Sequence, residues 1–177
     1  MTIRKAQLPD LQQIMAVLDA ARQIMRSDGN SGQWINGYPS EEIIRDDIEN
    51  GYGYVVLDNR ETDPNTSSNS ADNIVAYFAY IPSPEPTYAK IYEGQWLDDT
   101  LPYHVVHRIG STPTSHGIFK TIMDWCFAND EHRNIKIDTH RDNRIMQHCI
   151  LSYGFTYCGI IYLSSGDERF AYQKINQ

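Results

Sequence analysis

His104-Val105-Val106-His107-Arg108-Ile109-Gly110, running on into Ser111-Thr112-Pro113-Thr114-Ser115-His116-Gly117, is the stretch on which the fold of this chain turns. An apolar run of strand character enters a turn of small residues. Beyond Gly117, the positions Ile118, Ile122, Met123, Trp125, Cys126 and Phe127 predict a helix buried along one side. A turn of this kind at a helix start presents free backbone N–H groups at the positive end of a dipole, which suits a phosphate. Downstream, Asn134–Thr139 alternates, with Ile135 and Ile137 on one side and Lys136 and Asp138 on the other, as in a strand. Asp138-Thr139-His140-Arg141-Asp142-Asn143 ends that strand beside the turn. The order predicts a site for a phosphate-bearing cofactor with a substrate alongside it.

The flanking segments extend the pattern. A helix starts near Asn143 and ends before Gly154, where Gly154 at C′ and Phe155 at C″ let Phe155 pack on Ile150 in a Schellman-type close. Phe155–Leu163 and Arg169–Lys174 form a last hairpin around Ser164-Ser165-Gly166-Asp167. At the other end, Thr2–Lys5 is a strand, and Pro9 and Asp10 open a helix whose apolar face holds Leu11, Ile14, Met15, Val17, Leu18, Ala21, Ile24 and Met25. Ser27–Gly32 is a turn and Gln33–Pro39 a loop of large side chains. Ser40 caps a helix that runs to about Asn50, and Gly51 stops it. Tyr54–Leu57 and Ile74–Ile81 are strands; the polar stretch Arg60–Asn73 between them is expected to be a flexible hairpin excursion. Pro82, Pro84 and Pro86 force an irregular connection, and Tyr88–Pro102 has no assignable pattern. The sum is a mixed α/β (α+β) chain: a single mixed, mostly antiparallel central sheet with helices on both faces, in one domain spanning 1–177.

Composition narrows the function classes. The formal net charge is −8, which argues against a protein whose main task is gripping nucleic acid. It leaves room for an anionic cofactor, because main-chain amides bind phosphate without net positive charge. No apolar run reaches the length of about 18 residues that a membrane span needs, and the N-terminus lacks the apolar stretch of a secretion signal. Cys126, Cys149 and Cys158 have no CxxC spacing and read as buried, reduced thiols of a cytoplasmic protein.

These residues resemble the GNAT superfamily of N-acetyltransferases over nearly the whole chain. Thr2–Ala6 with Pro9-Asp10-Leu11 is similar to the family's first strand and helix, and Ile109–Lys120 to its acetyl-CoA motif. Asn143-Arg144-Ile145-Met146 leading to Tyr153-Gly154-Phe155 is similar to its second signature. The resemblance implies a GNAT-like acyl-CoA N-acyltransferase fold in which the strand ending at Ile109-Gly110-Ser111 splays from its neighbour and bonds the acetyl and pantetheine groups. It further implies that Ser115, His116, Gly117, Ile118, Phe119 and Lys120 cradle the pyrophosphate of acetyl-CoA, a cosubstrate with no metal, and that Asn143 reaches the pantetheine arm. Two departures stand out. Of the family's Arg/Gln-x-x-Gly-x-Gly/Ala pattern only Gly117 is kept, with Phe119 in place of a small residue. Ile150 stands where the family often has the tyrosine that protonates the leaving thiolate.

Amine acetylation requires a base, an oxyanion donor and a departing thiolate. The main-chain N–H of Ile109 or its neighbour is the candidate donor. His107, at the parity of Val105 and Ile109, is the first candidate base, since imidazole titrates near neutrality. Glu93, acting through water, is the second and His104 the third. Gln33, Trp34 and Tyr38 fall where the family forms its acceptor site, and Tyr88, Tyr92, Trp96 and Tyr103 add aromatic bulk. Asp138, His140, Asp142 and His148 could suggest a metal, but such residues more often cap helices and strand ends. The expected activity is direct transfer of an acetyl group, in a ternary complex, to a primary amine of a small molecule or peptide. The expected partners include no nucleic acid and no membrane, and a homodimer is left open. A non-catalytic acyl-CoA-binding or sensing domain and a structural interaction module that keeps only the fold are the alternatives.

Overall fold

Seven strands form one sheet in the order β1-β2-β3-β4-β5-β7-β6 in the computed structural model, which describes residues 1–58 and 73–176. β1 (Thr2–Lys5), β2 (Gly53–Leu57), β3 (Ile74–Pro82) and β4 (His104–Ser111) are successive antiparallel neighbours. β5 (Asn134–Thr139), β7 (Glu168–Ile175) and β6 (Thr156–Tyr162) form a second antiparallel group. The two groups join where β4 and β5 lie parallel. A mixed, mostly antiparallel sheet between helices is therefore the architecture, as expected. The stretch read as a hairpin excursion lies outside the described residues apart from Asn73.

The helices sort to the two faces by their apolar stripes. α1 (Leu11–Ser27) buries Leu11, Ile14, Val17, Leu18 and Ala21 of its apolar stripe, while Met15, Ile24 and Met25 at the flanks of that stripe are half-buried. α2 (Glu41–Glu49) starts where the Ser40 hydroxyl accepts the Ile43 N–H at 3.3 Å, with Glu41 and Glu42 favoured by the dipole in the first turn. Together with Val55, Ile74 and Tyr77 these helices close one face. α3 (Ile118–Asn129) and α4 (Arg144–Ser152) cover the other, over Val56, Phe78, Val106, Ile135 and Ile137. α4 closes as its sequence predicts: Gly154 N–H donates to Leu151 O at 3.0 Å and Phe155 N–H to Ile150 O at 3.2 Å, the paired bonds of a Schellman motif.

The segment from Tyr88 to Pro102 has no periodicity because point contacts hold it. Apart from a 3₁₀ turn at Pro86–Tyr88 it is irregular. Tyr88 and Trp96 are buried with Val105, Cys158, Ile161 and Ala171 in a third apolar cluster. The Trp96 indole N–H donates to Tyr88 O at 3.1 Å, and Gln173 Oε1 accepts from Leu97 N–H at 2.7 Å. Large apolar side chains of this kind contribute roughly 1.5–3 kcal/mol each on burial, so a few suffice to seat a loop. Of the cysteines, Cys126 and Cys158 are buried and Cys149 half-buried, all unpaired. Among the described residues no helix is long and apolar enough to cross a membrane.

Candidate active site

β4 and β5 are in register only at His104–Ile135 and Val105–Lys136; beyond these pairs the strands part. The gap is the start of a cavity of about 520 Å³, lined from β4 by Val106, His107, Arg108 and Ile109 and from β5 by Ile137, Asp138 and Thr139. That size is typical of a small-molecule site. The α1–α2 loop, the β6–β7 turn and Arg169 close the remaining walls.

A bulge in β4 sets what points inward. On β3, Tyr77 pairs with Gly110 and Ala79 with His107, so Phe78 faces two residues, Arg108 and Ile109. Arg108 takes a left-handed backbone, φ 56°, which a non-glycine side chain rarely adopts. The extra residue breaks the alternation. His107 packs beside Tyr88, and the next side chain, Arg108, turns to the same side of the sheet, while Ile109 packs on the α3–α4 side. The parity shared by His107 and Ile109 in an unbroken strand is thus not kept; His107 stays with Val105.

His107 sits between two carboxylates. Its Nε2 lies 3.5 Å from Glu85 Oε2 and its Nδ1 3.7 Å from Asp138 Oδ1. Tyr88 donates its hydroxyl to the same Asp138 oxygen at 2.5 Å and sets its ring edge-on to the imidazole. The His107 imidazole, helped by Thr87 N–H and Oγ1, holds the Glu85 carboxyl down to about 2 despite its burial. Burial, reinforced by Asp138, pushes the Tyr88 hydroxyl far above its ordinary value, so it stays a donor. The imidazole is oriented from both ends, and the positive charge it gains on taking a proton has two counter-charges.

The acceptor-side residues read from the sequence do gather here. Gln33, Trp34 and Tyr38 all line the cavity. Trp34 is also core: buried, with its ring 3.4 Å from where a Cβ on Gly110 would stand. Tyr38 accepts a hydrogen bond from Arg108 Nη1 at 3.2 Å, and Arg22 ties the loop by donating to the carbonyls of Tyr38 and Pro39. Gln33 Oε1 accepts from the side-chain amides of Asn30 and Asn143 at 3.0 and 2.8 Å. Asn143, whose oxygen caps α4 at Met146 N–H (3.1 Å), therefore has both ends of its side chain engaged although it borders the cavity.

The Gly117 turn lies past the end of β4. Gly117 has φ 71°, no side chain caps the helix it starts, and a Cβ there would meet open space. Ser115 and Thr112 share a hydroxyl contact at 2.9 Å within the turn, and Gly110 and Ser111 stay in the β3 ladder. His116 is exposed, Ile118 is buried, and Lys120 is exposed and paired with Asp124 at 2.6 Å. Phe119 packs against the α3–α4 core, with its ring edge-on to Tyr153 at 6.2 Å, and does not line the cavity. The residues thus fit acetyl-CoA in two respects: an uncapped helix start with room before it for a diphosphate, and an open slot between β4 and β5 for an extended arm. Ile150 is fully buried, and the Tyr153 hydroxyl is engaged by Asp124 at 2.9 Å.

Other candidates are placed elsewhere. Glu93 is exposed and outside the cavity lining, because reciprocal 2.8 Å bonds between Tyr92 and Ile160 tie its segment to the outer edge of β6. His104 stacks on Tyr80 and faces Asp130 at 3.3 Å, also outside the cavity. Among the described residues no group of three or more His, Cys, Asp or Glu is placed to hold a metal ion. Glu85 and Arg169 carry no signal in the sequence that marks them as site residues. Glu85 sits among prolines with no pattern around it, and Arg169 reads only as the first residue of a hairpin strand.

No protein-family model matches the chain, and no curated protein matches it. Solved structures do. A GNAT-family acetyltransferase from Streptococcus agalactiae is 33% identical, with a TM-score of 0.85, over 99% of this chain and 95% of that one. A GNAT-family acetyltransferase from Listeria monocytogenes (17% identical, TM-score 0.67, 99% and 94% covered) shares the fold. So does a ribosomal-protein-alanine N-acetyltransferase from Brucella melitensis (16% identical, TM-score 0.58, 99% and 100% covered).

Proposed function

The chain belongs to the GNAT family of acetyltransferases, and from that premise we propose that it is an acetyl-CoA-dependent N-acetyltransferase acting on a primary amine by direct transfer in a ternary complex. The observation that carries this is the His107 imidazole, held between Glu85 and Asp138 in the wall of the slot that β4 and β5 open. Acetyl-CoA supplies the acetyl group as a thioester: the amine nitrogen forms a C–N bond to the acetyl carbon, the C–S bond breaks, and CoA leaves as the thiol. His107 accepts the proton that the amine gives up, and Glu85 and Asp138 balance the imidazolium. A main-chain N–H at the bulge, of Ile109 or its neighbour, would serve as the oxyanion donor, a reading supported by the ladder register skipped there. Ile109, Gly110 and Ser111 would follow the arm of the cosubstrate. The amides from Ser115 to Lys120 would meet its diphosphate. Gln33, Trp34 and Tyr38 would bound the amine. Ile150 offers no proton, so the departing thiolate takes one from water or from another side chain.

Calorimetric titration with acetyl-CoA, followed by CoA release over a panel of amines, tests this. Binding followed by release is the expected result. Binding with no release from any amine would make the chain an acyl-CoA sensor, and no binding at all a module that keeps only the fold. His107→Gln should lower turnover about 10²-fold or more with acetyl-CoA affinity little changed. An unaltered pH–rate profile in that variant would remove His107 as the base.

A further inference from the structure

Arg169, the second residue of β7, lines the cavity and is only 7% exposed, yet it has no counter-ion among the described residues. Its guanidinium donates to the carbonyl of its neighbour Glu168 at 2.8 Å and pairs with no carboxylate among the described residues. The neighbouring carboxylates Asp167 and Glu168, and Asp142 at the end of β5, are engaged elsewhere. Arg141 holds Glu168, the Ser165 hydroxyl donates to Asp167 at 2.8 Å, and Asp142 faces His140 at 3.6 Å. The cavity's other arginine shows the contrast: Arg108 is forked onto Asp47 and also bonded to Tyr38. A buried arginine without an anion is costly unless something absent from the chain completes it.

The position of Arg169 says what that partner is. Ala171 pairs with Asp138 across the β5–β7 ladder, and Arg169 lies two residues before Ala171 on the same face, opposite to Phe170 and Tyr172. Diagonal neighbours of that kind stand roughly 7–8 Å apart at Cα, within reach of one small molecule between two side chains. At the Asp138 end the cavity carries Glu85, Asp138 and His107, which suit an ammonium; at the other it carries the Arg169 guanidinium, without an ion pair, beside an Asp167 carboxylate that is bonded to Ser165. The phosphates of CoA belong by resemblance at the Gly117 turn and would not reach here.

We propose that Arg169 anchors a carboxylate of the acceptor, so that the acceptor is a small amine bearing a carboxylate, of the amino-acid class. This rests on the N-acetyltransferase reading above. The carboxylate takes no part in bond changes: the products are the N-acetylated acid and CoA thiol.

The test pairs each common free amino acid with its primary carboxamide and with peptides that present the same residue at the N-terminus. Binding is measured by calorimetry in the presence of CoA, and transfer by CoA release from acetyl-CoA. At least one free amino acid should bind and react about tenfold or more better than its carboxamide. In Arg169→Gln the acid-to-amide ratio should fall close to one while acetyl-CoA binding is unchanged, and Arg169→Lys, which keeps the charge, should retain part of the preference. Carboxamides or peptide N-termini as good as free acids, or a preference that survives Arg169→Gln, would overturn the proposal. Acetylated peptides with no dependence on Arg169 would leave the N-acetyltransferase reading standing and the carboxylate subsite gone. Arg169-dependent binding of an amino acid with no transfer to any amine would do the reverse.

Discussion

Asp47 grips Arg108 at both ends of the guanidinium fork, with Oδ2 2.8 Å from Nε and Oδ1 2.6 Å from Nη2, although 61 residues separate them. Asp47 Oδ2 also accepts the Tyr77 hydroxyl at 2.7 Å, and both members of the pair are largely buried. Burial works against the charge on Arg108, but Tyr38 and Asp47 hold its pKa above the ordinary value. The pair ties α2 to the bulge and so fixes the residue that follows His107. Asp47→Ala leaves a buried arginine and a buried phenol without their acceptor and should cost about 3–5 kcal/mol, read as a lower urea midpoint at an unchanged slope. The double change Asp47→Leu with Arg108→Met removes both charges and should recover most of that loss. A double variant as unstable as the single one would show that the fork carries net stability of its own.

Glu85 makes acid stability a probe of the His107 cluster. His107, with the bonds from Thr87, holds the folded carboxyl down to about 2, below the ordinary value of 4.5. A depressed carboxyl contributes stability that is present above its unfolded pKa and is lost as pH falls through the folded one. The wild type should therefore lose this contribution between about pH 4.5 and 2. Glu85→Gln should have a shallower stability–pH curve across that window and lower stability near neutrality. Curves that run parallel from pH 5 to pH 2 would mean that Glu85 is not coupled to the imidazole.

Much of this could be read in the chain, and the parts that could not share a cause. α1, α4 with its Schellman close, and the alternation of β5 are local patterns, set by period and by caps within a few residues. The site depends on non-local events. One inserted residue in β4, visible only against β3, reverses the parity that would pair His107 with Ile109. Glu85 reaches His107 from a proline-rich connection without periodicity, whereas Glu93, the second candidate base in the sequence, is carried to the sheet edge by the Tyr92–Ile160 bridge. Phe119 stands in sequence where the family has a small residue, and only α3 shows that its ring is aimed at Tyr153 and the core.

Gly117 separates backbone strain from phosphate binding. Its φ of 71° is left-handed, and nothing stands within 4 Å of a Cβ built there. Gly117→Ala should destabilise by about 1–2 kcal/mol through backbone strain alone, and Gly117→Asn by less, since Asn tolerates the region. Both place a side chain in the open space before the α3 start, so both should weaken acetyl-CoA binding, by about tenfold. Melting temperature and calorimetric affinity, measured side by side, should rank the variants differently. Unchanged affinity in both would move the diphosphate away from this turn.

Lys136 is the buried cation whose removal should do least harm. Its side chain is fully buried, and its Nζ has no hydrogen-bond partner. It lies 4.1 Å from the centre of the Trp96 ring, 4.0 Å from that of Tyr103, and 3.6 Å from the exposed Asp99. Burial lowers its pKa, with Asp99 offsetting only part of the effect. Between the lowered folded value and the ordinary 10.5, the folded chain holds fewer protons than the unfolded one, so stability rises with pH through that alkaline window. At neutral pH the charge is therefore a burden that two aromatic faces relieve, by roughly 2 kcal/mol where fully desolvated. Lys136→Met keeps the length and fills the same slot without a charge to desolvate. It should leave the unfolding midpoint at pH 7 unchanged or raised, and it should abolish the alkaline rise. A loss of more than about 2 kcal/mol at pH 7 would show instead that the ammonium between Trp96 and Tyr103 is what seats the irregular segment over the sheet.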